Sequence, residues 1–142
     1  EQGALTEGGY FEQAVYAVLA PAFDVLPNVR PAGAGDQIEI DLVIRQGNQV
    51  AVAEVKRGRG SEGPKKGIDQ LSTAGGREYL GTYARKLLIT AGYTGAKIRS
   101  LARERQVAIV EVTGYRRGAP IANDAAERLV REVAQALAGY VL

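Results

Sequence analysis

Residues 38–56, IEIDLVIRQGNQVAVAEVK, constrain this chain more than any other stretch. Two runs of alternating apolar residues are broken by Gly47-Asn48, a two-residue hairpin signal. With those two residues as the loop, Gln46 pairs with Gln49 and the register follows: Leu42 opposite Ala53, Asp41 opposite Glu54, Glu39 opposite Lys56. Directly opposed residues share a face with Cβ atoms about 4.5–5.5 Å apart, and residues two apart in a strand share it as well. Glu39, Asp41, Glu54 and Lys56 therefore make one polar patch, while Ile40, Leu42, Ala53 and Val55 are left to the other face and the core. Two opposed carboxylates repel, and the simplest partner between them is a hard divalent ion held by oxygens, Mg²⁺ or Mn²⁺. The same residue types would also suit a solvated hairpin face, and a slip of one residue would carry Asp41 away from Glu54. The flanking chain has to decide.

Composition restricts the chemistry open to such a patch. Cysteine and histidine are both absent from the 142 residues, which excludes thiol catalysis, Cys/His zinc sites, the Ser-His-Asp relay and histidine general bases. Carboxylates, Lys, Arg, Tyr, Ser and Thr remain. The length suits one core, and residues 1–142 read as a single α/β domain. No apolar run reaches the ~18 residues of a membrane span. The first residues, EQGALTEGG, lack the basic start and apolar centre of a signal peptide. The expectation is a soluble, cytoplasmic chain with no membrane partner. It begins at Glu1 and contains no methionine, which points to a piece of a longer protein.

The net charge is only +2, but it is unevenly spread. Residues 56–66, KRGRGSEGPKK, set Lys56, Arg57, Arg59, Lys65 and Lys66 against the one acid Glu62 and leave a slight acidic excess elsewhere. This Gly-rich loop follows the patch directly, where a polyanion approaching the carboxylates would meet it; a solvated loop would have the same composition. Phosphates could hardly approach Asp41 and Glu54 without a metal ion and compensating positive charge, which favours the functional reading. Around the hairpin, periodicity predicts a helix over 7–22 with Phe11, Val15, Val18 and Leu19 on one stripe, then a short strand over 24–30 interrupted by Pro27 and a loop over 31–37. A helix over 67–83, weakened by Gly75 and Gly76, follows the basic loop. Then come the buried strand KLLIT, a basic helix over 95–105 with Ile98 and Leu101 inward, and the strand VAIVEV, a unit that should be parallel and right-handed. A last helix, capped by Asn123 or Asp124, runs to Ala138 with Leu129, Val133, Ala136 and Leu137 inward.

Helix, strand, two-stranded hairpin, helix, strand is the order of the restriction-endonuclease-like core, a mixed central sheet flanked by helices, and the chain resembles the PD-(D/E)xK nuclease superfamily. The acid on that family's middle strand matches Asp41, its (D/E)xK element matches Glu54-Val55-Lys56, and the Glu that many members add from the first helix matches Glu12 in GGYFEQAVYAVL. Ile40 stands where the motif has Pro, a departure the superfamily commonly shows. More narrowly, GGYFE, EIDLVI, VAVAEVKRG, IDQL and ARKLLIT, spread over residues 8–112, resemble the nuclease domain of CRISPR ancillary nucleases, which are joined to a Rossmann-fold sensor of cyclic oligoadenylate.

The resemblance implies a metal-dependent endonuclease in antiviral defence, a homodimer cutting DNA or RNA when a sensor in the parent chain is occupied. It implies that Asp41, Glu54 and Glu12, with the backbone carbonyl of Val55, hold Mg²⁺ or Mn²⁺, and that Lys56 orients the attacking water or the phosphate. Gln70 would position the same water or phosphate, or be a solvated helix residue. Arg57, Arg59, Lys65 and Lys66 would grip the substrate backbone without reading bases. In the hairpin register Glu39 is a salt-bridge partner that sets the orientation of Lys56. A Holliday-junction resolvase, an Mrr-like restriction enzyme or a secreted nuclease toxin would use the same site. An inert nucleic-acid-binding or dimerisation domain would keep the fold, but every expected charged position is filled here, which speaks against it.

Overall fold

The hairpin forms as its turn dictates. In the computed structural model, which describes residues 7–30, 39–57, 62–74, 78–79 and 82–139, β2 (Ile40–Gln46) and β3 (Gln49–Lys56) pair antiparallel from Gln46–Gln49 to Leu42–Ala53, the register set by the Gly47-Asn48 turn. Gly47 adopts the left-handed φ of +61° that such a turn asks of its first residue. On one side β1 (Asp24–Val29) adds antiparallel to β2, and on the other β6 (Arg85–Ala91) and β7 (Val107–Val112) add parallel to β3, giving a mixed five-stranded sheet in the order β1-β2-β3-β6-β7. β4 (Glu78–Tyr79) and β5 (Thr82–Tyr83) make a separate two-stranded ladder. Pro27 is tolerated because β1 is an edge strand.

Helices cover both faces of the sheet. On one, α1 (Glu7–Leu19) brings Phe11, Val15 and Leu19, and α4 (Asn123–Leu137) brings Leu129, Val133, Ala136 and Leu137, onto Leu42, Ile44, Ala53, Val55, Ile89 and Val110. On the other, α2 (Glu62–Ala74) and α3 (Ala96–Glu104) set Ile68, Leu71, Ile98 and Ala102 against Val43, Val50, Val52, Leu88 and Val107. Central β3 is covered on both sides, so its residues from Val50 to Val55 are all buried. Among the described residues no helix is long and apolar enough to cross a membrane.

Several expectations need correction. The first helix ends at Leu19, two residues before Pro21, and a turn leads into β1. The helix expected over 67–83 runs instead from Glu62 to Ala74. Pro64 lies in its first turn, where a missing N–H goes unnoticed, and the β-prone Tyr79, Thr82 and Tyr83 enter β4 and β5. Lys65 and Lys66 therefore stand exposed on a helix and not in a loop. Leu101 is only partly buried, and Ala102 takes the inward position beside Ile98. The cap of α4 is Ala122, without a side-chain hydrogen bond; Asn123 and Asp124 are already helical, and Asp124 Oδ1 accepts from the N–H of Ala125 at 2.9 Å. Ile40 packs with Val43 on the α2/α3 face, apart from Leu42, Ala53 and Val55, so the alternation of β2 breaks at Asp41. The loop at 31–37, Gly75 and Gly76, and Arg59 lie outside the described residues.

Candidate active site

Both ladders flanking β2 are interrupted at Asp41. The pairing with β3 stops at Leu42–Ala53. That with β1 skips the position between Pro27–Leu42 and Val29–Ile40, where Asn28 takes a left-handed φ of 54°. Side chains take over where the backbone ladder ends. The N–H of Val55 donates to Asp41 Oδ2 at 2.8 Å, and the N–H of Asp41 donates to Glu54 Oε2 at 3.2 Å. Each carboxyl group is thus held by an amide of the opposite strand, and two acids are locked side by side.

Their surroundings make that arrangement electrostatically costly. Glu54 is only 2 % exposed; burial, and after it the Asp41 carboxylate, pushes it up to about 8. Burial also raises Asp41, against the N–H of Val55 and the charge of Lys56, which favour its ionised form. Glu12 arrives from α1, and burial followed by the Asp41 charge pushes it up to about 7. Lys56 Nζ lies 3.7 Å from Glu54 Oε1. Its stem rests on α2, where a Cβ added to Gly67 would come within 3.2 Å of Lys56 Cγ. Glu39, expected opposite Lys56, is drawn to Arg30 at 3.8 Å, since the strand has already ended there and the ladder no longer imposes the pairing.

The donor set suits a hard divalent cation: oxygens from α1, β2 and β3, mutually repelling and raised chiefly by burial above the ordinary carboxylate range. Among the described residues no three such side chains form a ready-made cation cage. Asp41 and Glu54 are paired, and Glu12 has to close on them for all three to ligate together.

Of the other residues singled out in the sequence, Gln70 is exposed on α2, one turn beyond Gly67. Arg57 follows Lys56 directly, and its guanidinium carbon lies over the ring of Tyr115, 5.6 Å from its centroid and within cation–π reach. The segment after β7, which carries no periodic pattern, brings Tyr115 against Phe11 with ring centroids 5.0 Å apart and Arg117 over Tyr10 at 5.3 Å. Its signal in the sequence is Tyr115-Arg116-Arg117, an aromatic beside two cations. No local pattern announces the cluster of Thr94, Arg99 and Glu111.

No family model and no curated protein matches the sequence. Solved structures do match in fold. The chain has the restriction-endonuclease-like fold, a mixed α/β sheet shared with a repair endonuclease from Pyrococcus abyssi (TM-score 0.50, 14 % identity, 81 % of this chain and 50 % of that one). It is similar over 92 % of its length to Can2 from Sulfobacillus thermosulfidooxidans, solved in complex with cyclic tetra-adenylate, at a TM-score of 0.65 and 16 % identity. It is also similar to EndoMS, solved with double-stranded DNA (TM-score 0.51, 19 % identity, 82 % of this chain and 49 % of that one). The chain spans 36 % of the length of Can2.

Proposed function

We propose that this chain is a metal-dependent nuclease domain that hydrolyses phosphodiester bonds in DNA or RNA. The observation that carries this reading is the reciprocal lock of half-buried Asp41 and buried Glu54, two carboxyl groups held together against their own repulsion beside Lys56. A structural hairpin gains nothing from such a pair. Asp41, Glu54 and Glu12, with the carbonyl of Val55, would hold Mg²⁺ or Mn²⁺. When bound, such an ion supplies Lewis-acid stabilisation of a phosphate oxygen and lowers the pKa of a water it holds. Lys56 directs its ammonium toward the attacking water or the phosphate and stabilises charge that develops in the transition state. Its stem, clamped against Gly67, keeps that charge in place before substrate arrives. Arg57, Lys65 and Lys66 meet the substrate backbone, and Arg59 belongs to the same basic run. Gln70, at the surface of α2, completes the set as a residue that positions water or phosphate.

The likeness to Can2 supports a narrower reading: an effector domain of a CRISPR ancillary nuclease, working as a homodimer and governed by a cyclic-oligoadenylate sensor elsewhere in a longer chain. The domain reading is tested by cleavage of labelled single- and double-stranded DNA and RNA with Mg²⁺, Mn²⁺ or EDTA. Asp41→Ala, Glu54→Ala and Lys56→Ala should each abolish cleavage, a loss of about 2.7–4 kcal/mol or more of transition-state stabilisation. Full activity in any one of them would remove that residue from the site.

A further inference from the structure

A cleft of about 160 Å³ opens at the carboxyl ends of β3, β6 and β7, lined by Arg57, Ala91, Gly92, Val112, Gly114 and Tyr115. Ligands of open α/β sheets bind at this end of the strands. Three of the six lining residues, Ala91, Gly92 and Gly114, are small, and Arg57 is the one cation among the six. Beneath the guanidinium lies the ring of Tyr115, and Tyr115 in turn packs on the wholly buried Phe11. Arg57 is one residue from Lys56, and Phe11 is one residue from Glu12. The column Phe11–Tyr115–Arg57 is therefore joined through the chain to two of the site's residues, Glu12 and Lys56.

An arginine normally loses much rotamer freedom when it grips an anion, and a planar guanidinium held on an aromatic face has surrendered part of it beforehand. We propose that this cleft is a second phosphate subsite, in which Tyr115, backed by Phe11, is a positioning residue that holds Arg57 ready for the phosphodiester next to the scissile one. The proposal rests on the nuclease reading for its ligand. It gives a neutral aromatic residue, in a segment without acids, a share in binding a polyanion. The cleft is too small for a duplex and takes one phosphate group of the strand that passes it.

The test is binding of labelled single-stranded and duplex oligonucleotides to the whole chain in EDTA, so that nothing is cut, over a salt titration. Arg57→Gln should lower the slope of log K against log salt by about one, since one phosphate contact is lost. Tyr115→Leu changes no charge, yet it should lower the slope by the same amount, the double variant should add nothing further, and Tyr115→Phe, which keeps the ring, should restore it. Arg57→Lys guards against a Tyr115 variant that fails to fold: the charge stays but the planar guanidinium over the ring is lost, so binding should weaken several-fold. An unchanged slope in folded Tyr115→Leu, wild-type affinity in Arg57→Lys, or no binding by the original chain each overturns the proposal. A chain that shows these slopes but cuts nothing with metal present keeps the subsite and loses the nuclease reading. One that cuts, with Asp41→Ala dead and slopes unmoved, loses the subsite alone.

Discussion

A Cβ added at position 67 would lie 2.8 Å from Leu88 Cδ1 and 3.2 Å from Lys56 Cγ. Leu88 is wholly buried and has nowhere to turn, so the added methyl must push α2 away at this point and take with it the contact on which the Lys56 stem rests. Replacing a helical glycine by alanine favours the helix by roughly 0.5–1 kcal/mol, whereas overpacking costs about 1–3 kcal/mol. The two offset each other only in part, leaving a net loss of about 0–2.5 kcal/mol in stability. Gly67→Ala should therefore stay folded, melt no more than about 10 °C below the original and cut at least ~10-fold more slowly, equivalent to about 1.4 kcal/mol in the barrier. Cleavage at the original rate would show that α2 does not hold the lysine. The asymmetry between the two readouts matters because a variant that merely unfolds loses both together.

Between elements, the junction of β6, α3 and β7 is tied by one carboxylate oxygen. Glu111 Oε2 accepts from the N–H of Thr94 at 2.7 Å, from Thr94 Oγ1 at 2.8 Å and from Arg99 Nη2 at 2.7 Å. Thr94 is 3 % exposed, so removing the acceptor strands two donors away from water. Glu111→Ala should lower the free energy of unfolding by about 1.5–3 kcal/mol, the range for hydrogen bonds to charged groups. Glu111→Gln, which keeps an acceptor oxygen, should lose less. Urea titrations compare the two, and an unchanged midpoint in Glu111→Ala would mean that water replaces the carboxylate. The tie lies at the strand ends that border the cleft, so its loss should loosen Gly92 before it disturbs the hairpin. A second case at this scale is α2, whose early start puts Lys65 and Lys66 on a rigid element. Gly-rich spacing in the sequence masked that start, because a helix nucleated by Pro64 and covered by the sheet tolerates glycines that an isolated helix would not.

For the whole molecule, the acids of the site couple stability to pH and to cations. Burial pushes Glu54 up to about 8 and half-buried Glu12 up to about 7 from their ordinary 4.5. Between those values the folded chain keeps protons that the unfolded chain has released, so the stability these groups contribute is present at low pH and lost as pH rises through the window. Without cations, melting should fall from about pH 5 to pH 8. Saturating Mg²⁺ or Mn²⁺ should oppose that fall, since ligation needs the ionised carboxylates and a ligand at about a hundredfold excess over Kd adds about 2.7 kcal/mol. Asp41→Asn should be at least as stable as the original in EDTA and respond much less to the ion; equal responses would take this pair out of cation binding. What the sequence determined by itself is local. Gly47-Asn48 placed the turn and with it the register to Leu42–Ala53, strand alternation marked the two runs, and helical stripes named Phe11, Val15, Leu19, Leu129 and Val133 as core, because each depends on residues near one another in the chain. Tertiary structure decided what meets at the end of that register. It broke both ladders at Asp41, drew Glu39 to Arg30, carried Glu12 to the strand ends and slid Tyr115 under Arg57. Those meetings follow from helices being buried on both faces of one sheet, a constraint shared by the entire chain and written in no single segment of it.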